Sequence, residues 1–259
     1  MKLLTLNTHS IIEDNYHNKT EMFIDAISRI RPDIIAMQEV NQTMTEPVIA
    51  LGDEFDVRRD NHAYRVVKGL CELGLDYSCL WRGIKTGYDR YDEGIAILSR
   101  LPISETRTFR ISHTTDKSDW RCRRVVGAKI NGEWFYSVHL GWYDDKEDPF
   151  SMQWQTLNQN LSDFDSIWLM GDFNCVALSH GYNEVVTSGW YDAYDMADER
   201  DSGVTVRGRI DGWRDKNVGD MRLDYIFTNR RNHIKSIKVI FNGVNEDVVS
   251  DHYGVLAEI

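Results

Sequence analysis

Six short segments, spread along the whole chain, carry side chains able to bind a hard cation or move a proton. Asn7 ends Leu6-Asn7, and Gln38 with Glu39 sits in Met37-Gln38-Glu39-Val40. His139 lies in Ser137-Val138-His139-Leu140, and Asp172 and Asn174 in Met170-Gly171-Asp172-Phe173-Asn174. Asp224 is inside Arg222-Leu223-Asp224-Tyr225, and Asp251 and His252 follow Ser250. Carboxylate and amide oxygens are the donors that Mg²⁺ takes, usually with water and a substrate phosphate. A His oriented by a carboxylate shuttles protons near neutral pH. Phosphate-ester hydrolysis needs this set: charge stabilisation on phosphoryl oxygens, an oriented water and help for the leaving group. Asn7, Glu39 and Asp251 are the metal candidates. His252 and His139 are the proton-transfer candidates, with Asp224 and Glu93 as orienting partners. No Cys/His cluster suggests zinc.

Each residue taken singly has a simpler explanation. Asn7 reads as a turn residue, and Gly-Asp-Phe-Asn is rich in turn formers. Asp224 could pair with Arg222 at the surface, and Asp251-His252 could cap a strand. Glu39 is harder to dismiss, because a carboxylate within an apolar run needs a partner, a metal or an exposed strand end. Six recurrences of one chemical type are what the separate explanations leave unaccounted for.

These residues fall at the ends of short apolar runs of strand length. The runs are 3–6, 34–40, 94–99, 125–130, 134–140, 167–171, 223–228, 234–241 and 254–259, most rich in Val, Ile and aromatics. Helical periodicity appears in 20–30, where Met22, Phe23, Ala26, Ile27 and Ile30 share a face and Pro32 stops the helix. It recurs in 150–161 and, more weakly, in 178–188. The strand–helix–strand beginning implies a mixed sheet, and the helix-free run from Leu223 to Ile259 implies antiparallel pairing. A sandwich of two sheets with helices outside satisfies both.

The 259 residues contain no linker, repeat or low-complexity tract, so a single domain over 1–259 is expected. With 42% hydrophobic residues the chain can bury a sizeable core. A net charge of −11, from 41 acidic and 30 basic residues, weighs against broad duplex binding, which rests on clustered Lys and Arg. The four cysteines have no Cys-x-x-Cys spacing and read as free thiols. The apolar run at Met1–His9 is too short for a signal or a membrane span, so a cytoplasmic location is expected.

In order and over the whole chain, the six segments resemble the endonuclease/exonuclease/phosphatase superfamily, the group that includes pancreatic deoxyribonuclease and abasic-site endonucleases. Gly-Asp-Phe-Asn and Ser-Asp-His are its most specific matches here. The resemblance implies a four-layered α/β/β/α sandwich of two packed mixed sheets with flanking helices, its site at one end. It implies that Glu39 binds Mg²⁺, or Mn²⁺ as a substitute, with Asn7 and Asp251 beside it. His252 would be the general base or acid, oriented by Asp224. Asp172 and Asn174 would position the attacking water and a phosphoryl oxygen, and His139 would donate to the phosphate. Glu93 stands where nuclease-type members carry a carboxylate supporting that His, and Arg121 where some members carry a phosphate-contacting Arg.

The stretches 84–94, 119–121, 139–145 and Asp211-Gly212-Trp213 look like the bacterial branch containing maltose 6'-phosphate phosphatase. Trp120, Trp142, Tyr143 and Trp213 would then face sugar, although any one Trp is as well explained as core or rim. Of the three arginines at 121, 123 and 124, the first and second would share a strand face and could hold a terminal phosphate. His9, near Asn7, and the acidic run 143–148 are explained as well by solvated loops. The leading expectation is a phosphomonoesterase for a small phosphorylated sugar. The alternatives are a phosphodiesterase, either a nuclease or sphingomyelinase-like, and a non-catalytic binding module.

Overall fold

A computed structural model describes residues 1–208 and 219–259. The expected sugar-facing segment Asp211-Gly212-Trp213 lies outside the described residues. The elements begin with β1 (Lys2–Asn7), a 3-10 turn (Ser10–Ile12), α1 (Tyr16–Ile30), β2 (Ile34–Thr43), β3 (Val48–Ala50) and β4 (Val57–Arg58). They continue with α2 (His62–Glu72), β5 (Ser78–Gly87), β6 (Tyr91–Ser99), β7 (Glu105–Arg110), β8 (Arg124–Ile130) and β9 (Glu133–His139). Then come α3 (Phe150–Leu161), β10 (Ile167–Asp172), α4 (His180–Thr187), β11 (Tyr191–Asp192), α5 (Ala193–Met196) and β12 (Ala197–Arg200). The chain ends with β13 (Asp224–Thr228), β14 (Ile234–Ile240) and β15 (Gly254–Glu258).

Two mixed sheets carry the fold. One has the order β12-β14-β15-β1-β2-β6-β5, and the other β11-β13-β10-β9-β8-β7. β1 and β2 pair in parallel, as do β9 and β10, and each pair is joined through a helix, α1 or α3. Parallel neighbours need such a crossover, whereas tight turns suffice for antiparallel ones such as β8 and β9.

Strand alternation then sorts the apolar side chains into three layers. Leu3, Ile34, Ala36, Ile95 and Ile97 from the first sheet meet Val126, Phe135, Trp168, Met170 and Ile226 from the second between the sheets. Their sequence neighbours Leu4, Ile35, Met37 and Leu98 turn outward onto Phe23, Ala26 and Ile27 of α1 and Val66 and Leu70 of α2. On the far side Tyr136, Val138, Leu169 and Phe227 pack against Phe150, Trp154 and Leu157 of α3 and Tyr182 of α4. The result is the expected helix–sheet–sheet–helix sandwich.

The helix-free run 223–259 behaves differently from its expectation. β14 and β15 do pair antiparallel, but β13 belongs to the other sheet, so the chain changes sheets between Thr228 and Ile234. The helix α2, held by an Asn61 cap that accepts from Tyr64 N–H, and the strands β5 and β7 were not foreseen.

Candidate active site

Register alone gathers much of the site. His139 and Asp172 lie opposite each other on β9 and β10, and Asp172 opposes Asp224 on β13. These three residues thus form a row across neighbouring strands. Asn7 and Gln38 are likewise opposite on β1 and β2. Below them Gln38 spans the two sheets: its amide donates to Ser137 Oγ at 2.9 Å, and the Ser137 hydroxyl donates to Met37 O at 3.1 Å. This buried polar seam fixes one sheet end against the other.

Glu39 reaches the site through a β-bulge. Met37 pairs with Ala96 and Val40 with Gly94, so two residues of β2 face one of β6. Val40 takes the outward face on the α1 and α2 layer. Glu39 is the inserted residue, in the left-handed region with φ of 51°. A non-glycine residue there is unusual, and bulges commonly re-aim a side chain beside a site. Gly171 plays a complementary part. A Cβ at this position would sit 1.8 Å from Val138 O, so only glycine lets β10 run this close to β9 and bring Asp172 beside His139.

The side chains meet around Asp172. Asn7 donates from its amide nitrogen to Glu39 Oε1 at 2.9 Å and to Asp172 Oδ2 at 3.1 Å. Asn174 N–H donates to Asp172 Oδ1 at 2.8 Å, and the Asn174 amide donates to Leu140 O at 2.9 Å. His252 Nδ1 is 3.0 Å from Asp224 Oδ2, while its Nε2 lies 3.8 Å from Asp172 Oδ2. His139 Nε2 is 3.6 Å from the same Asp172 oxygen, too far for a good hydrogen bond. The simple explanation of Asp224 does not hold: it is buried against His252, and Arg222 pairs instead with Asp192 at 2.7 Å.

Electrostatics separates these groups. Burial alone would lower the His252 pKa, but the charges of Asp224 and Asp172 outweigh it and raise the group well above its ordinary value. Burial lowers His139 well below the usual range, helped by Arg123, Lys85 and His252, and leaves it neutral. Asp172 is pushed up to about 7, chiefly by burial, with Asp224 adding to the rise and His252 opposing it. Glu39 is raised by burial and by the negative charges of Glu93 and Asp251.

Near Glu39, His9 Nδ1 sits 2.7 Å from Glu13 Oε1 and 3.9 Å from Asp251 Oδ1. Glu13 also accepts the Asp251 N–H at 3.0 Å and an ion pair from Lys19. Burial pulls the His9 pKa down, yet its Glu13 bond and the charges of Asp251 and Glu39 carry it up to about 9. Sequence reading gave His9 no firm role and missed Glu13, though the spacing of four was a usable signal. The carboxylate oxygens of Glu39 and Asp251 fit a hard divalent cation, since burial and the nearby Glu93 and Asp251 charges press against a bare charge on Glu39. Asn7 borders that set and spends its amide N–H groups on Glu39 and Asp172.

These residues open onto a cleft of about 420 Å³ whose walls include Glu39, His139, Asp172, Asn174 and His252. Trp142 and Trp120 line it too, with ring centroids 4.9 Å apart. Two expectations need correction here. Arg121 does not face the cleft. It lies in a turn before β8, bound to Asp145 at 3.1 Å and Asp119 at 3.4 Å, its guanidinium packed 4.8 Å from the Trp120 ring centre. Because the strand begins only at Arg124, alternation does not extend back to Arg121 and Arg123. Arg123 is the arginine that lines the cleft, while Arg124 is tied to Glu54. Glu93, expected to support a His, instead pairs with Lys85 Nζ at 2.9 Å, directly opposite it on β5. Lys85 was not singled out from the sequence. A lysine between two glycines at the end of a strand, opposite a carboxylate, was the available signal.

The comparisons with known proteins agree with this geometry. Residues 4–252 match the model of the Endonuclease/Exonuclease/phosphatase family. An endonuclease/exonuclease/phosphatase family protein from Leptotrichia buccalis is 34% identical, with a TM-score of 0.91 over 100% of this chain and 99% of that one. A mannosyl-6-phosphatase from Bacteroides thetaiotaomicron is 17% identical, with a TM-score of 0.69 over 100% of this chain and 98% of its own. A 3'-5' exonuclease from Neisseria meningitidis is 17% identical, with a TM-score of 0.68 over 100% and 99%. At such identity the last two speak for the fold alone. No curated protein is recognisably similar in sequence. Among the described residues no helix is long and apolar enough to cross a membrane. The family match along nearly the full length, on a sandwich whose acidic, Asn and His residues line one cleft, makes this chain a member of the endonuclease/exonuclease/phosphatase family and a metal-dependent phosphoric ester hydrolase.

Proposed function

We propose that the chain is a Mg²⁺-dependent phosphomonoesterase acting on a small phosphorylated sugar, with Mn²⁺ as a substitute metal, working in the cytoplasm as one catalytic unit over 1–259. The observation that carries this reading is the pairing, in one cleft, of the Asp172–His252 centre with the Trp120–Trp142 surface. A cleft of about 420 Å³ suits a small molecule. Flat aromatic faces with polar edges suit a sugar ring, and the Arg121 guanidinium packs on the Trp120 ring. Asp89 on the cleft wall, on a chain of net charge −11, disfavours a polyanion. A mannosyl-6-phosphatase shares the fold.

In this reading Glu39 and Asp251 hold the divalent cation with Asn7 beside them, and the cation, when bound, neutralises charge on the phosphoryl oxygens. Asp172, fixed by the Asn174 N–H and the Asn7 amide, takes a proton from the attacking water as the bond from phosphorus to the sugar oxygen breaks, and the departing alkoxide takes a proton from solvent. His252, held by Asp224 and kept charged, donates to a phosphoryl oxygen. His139, neutral, donates a second hydrogen bond to the phosphate.

The test is inorganic phosphate release from mannose 6-phosphate, glucose 6-phosphate and maltose 6'-phosphate in Mg²⁺. Release that stops with a chelator is the expected result. Plasmid nicking without any release from sugar phosphates would replace the reading with a phosphodiesterase, and metal binding without turnover of any ester would replace it with a binding module.

A further inference from the structure

Lys85 is a cation in an unusual place. Its side chain is nine-tenths buried, at the end of β5, on the wall of the same cleft as Glu39, His139 and Asp172. An ammonium has three hydrogens. One goes to Glu93 Oε1 at 2.9 Å and one to Trp120 O at 3.2 Å, which leaves one for a ligand oxygen. The same Trp120 carbonyl accepts from Arg123 Nη1 at 2.6 Å, so one turn gathers two cations side by side. The Arg123 Nε is buried with no partner.

A purely structural ion pair is the competing explanation of Lys85 and Glu93. Burying two charges is costly, and a buried pair gains little over apolar residues of the same size. A pair kept in a substrate cleft, next to a second cation with an unpaired N–H, has more than stability to account for. Burial and the neighbouring Arg123 both press the Lys85 pKa downward, a strain that an incoming anion relieves.

We infer that Lys85 is a phosphate-binding residue which, with Arg123, grips the unesterified oxygen and extra charge that distinguish a terminal phosphate from a diester. This rests on the monoesterase reading above, and it adds a residue that sets the preference. Glu93 is then a positioning residue that holds the ammonium against the cleft wall.

The probe is inorganic phosphate, the product common to all phosphomonoesters, titrated calorimetrically into the Mg²⁺-loaded protein. Lys85→Met is expected to weaken phosphate binding tenfold or more, and Lys85→Arg to keep most of the affinity. The double variant Lys85→Met with Glu93→Gln removes both charges, so no carboxylate is left unpaired, and it should bind phosphate as weakly as Lys85→Met. Alongside, kcat/KM for p-nitrophenyl phosphate relative to bis(p-nitrophenyl) phosphate should drop at least tenfold in Lys85→Met. Wild-type phosphate affinity in the double variant would overturn the inference and leave the pair structural. An equal loss on monoester and diester would overturn the preference. Lys85-dependent phosphate binding in a protein that cleaves only diesters would instead refute the monoesterase reading while keeping Lys85 as a phosphate ligand.

Discussion

His62 and His252 are equally buried, at 5% and 4% exposure, yet their charges go opposite ways. His62 begins α2, bonds to Tyr16 Oη at 3.0 Å through Nδ1, and has Arg65 as its charged neighbour. Burial, aided by Arg65, lowers its pKa to about 3. His252 has Asp224 at 3.0 Å and Asp172 at 3.8 Å, and these carboxylates overcome the same burial. One is a neutral packing group, and the other is held as a cation at the head of a cleft. Burial sets the penalty for charge, and the neighbours decide whether a function can use that charge.

Removing the cation or its partner is the strongest way to break the contrast. His252→Ala and Asp172→Ala are each expected to lower kcat by about a thousandfold or more, with circular dichroism unchanged. Near-normal turnover in both would remove the proposed chemistry. Asp224→Asn keeps the shape and removes the charge, so kcat should fall by roughly a hundredfold. His62→Gln, by contrast, should leave kcat within about twofold of wild type, since His62 borders none of the reacting groups.

The same sequence yields its architecture readily and its site only in part. Leu3 to Leu6, Ile34 to Met37 and Val125 to Ile130 alternate between two apolar layers, so their strands are plain in the sequence. The chain's change of sheet after Thr228 was not, because 223–259 has the same strand pattern whichever sheet receives it. α2 went unread although its buried Ala63, Val66 and Leu70 stand at helical spacing behind the Asn61 cap, the same signal that marks α1. Asp172, Asn174, Asp224 and His252 were legible because each follows or enters an apolar strand. The exchange of Arg121 for Arg123, and of a His for Lys85 at Glu93, depended on where β8 starts and on the β5–β6 register. Both are properties of pairing, which no single segment displays.

Smaller effects sharpen the comparison at the cleft mouth and in stability. Trp142→Ala should raise KM for sugar phosphates by roughly fivefold with kcat little changed, as expected for loss of one stacking surface worth about 1 kcal/mol. An equal rise for p-nitrophenyl phosphate would show that Trp142 does not recognise the sugar.

The metal-free protein provides the last contrast, in urea unfolding. His62 has a folded pKa of about 3 against an ordinary value of 6.5, so its contribution is complete above pH 6.5 and is lost as pH falls toward 3. The slope from this group is at most about 1.4 kcal/mol per pH unit. His252, whose folded pKa is raised, contributes fully below pH 6.5 and loses that contribution as pH rises through its folded value. His62→Gln should therefore flatten the loss of stability between pH 6.5 and 5, whereas His252→Gln should leave that range alone and flatten the loss of stability as pH rises above 6.5. The same slope in all three proteins would contradict the assignment of opposite charges.

The proposed chemistry needs distant oxygen donors to form one cation site beside Asp172. Calorimetric titration of Mn²⁺ into wild type and Glu39→Gln tests this most directly. A saturable site is expected in the wild type, lost or weakened by about tenfold or more in Glu39→Gln together with turnover. Unchanged Mn²⁺ affinity in Glu39→Gln would contradict it.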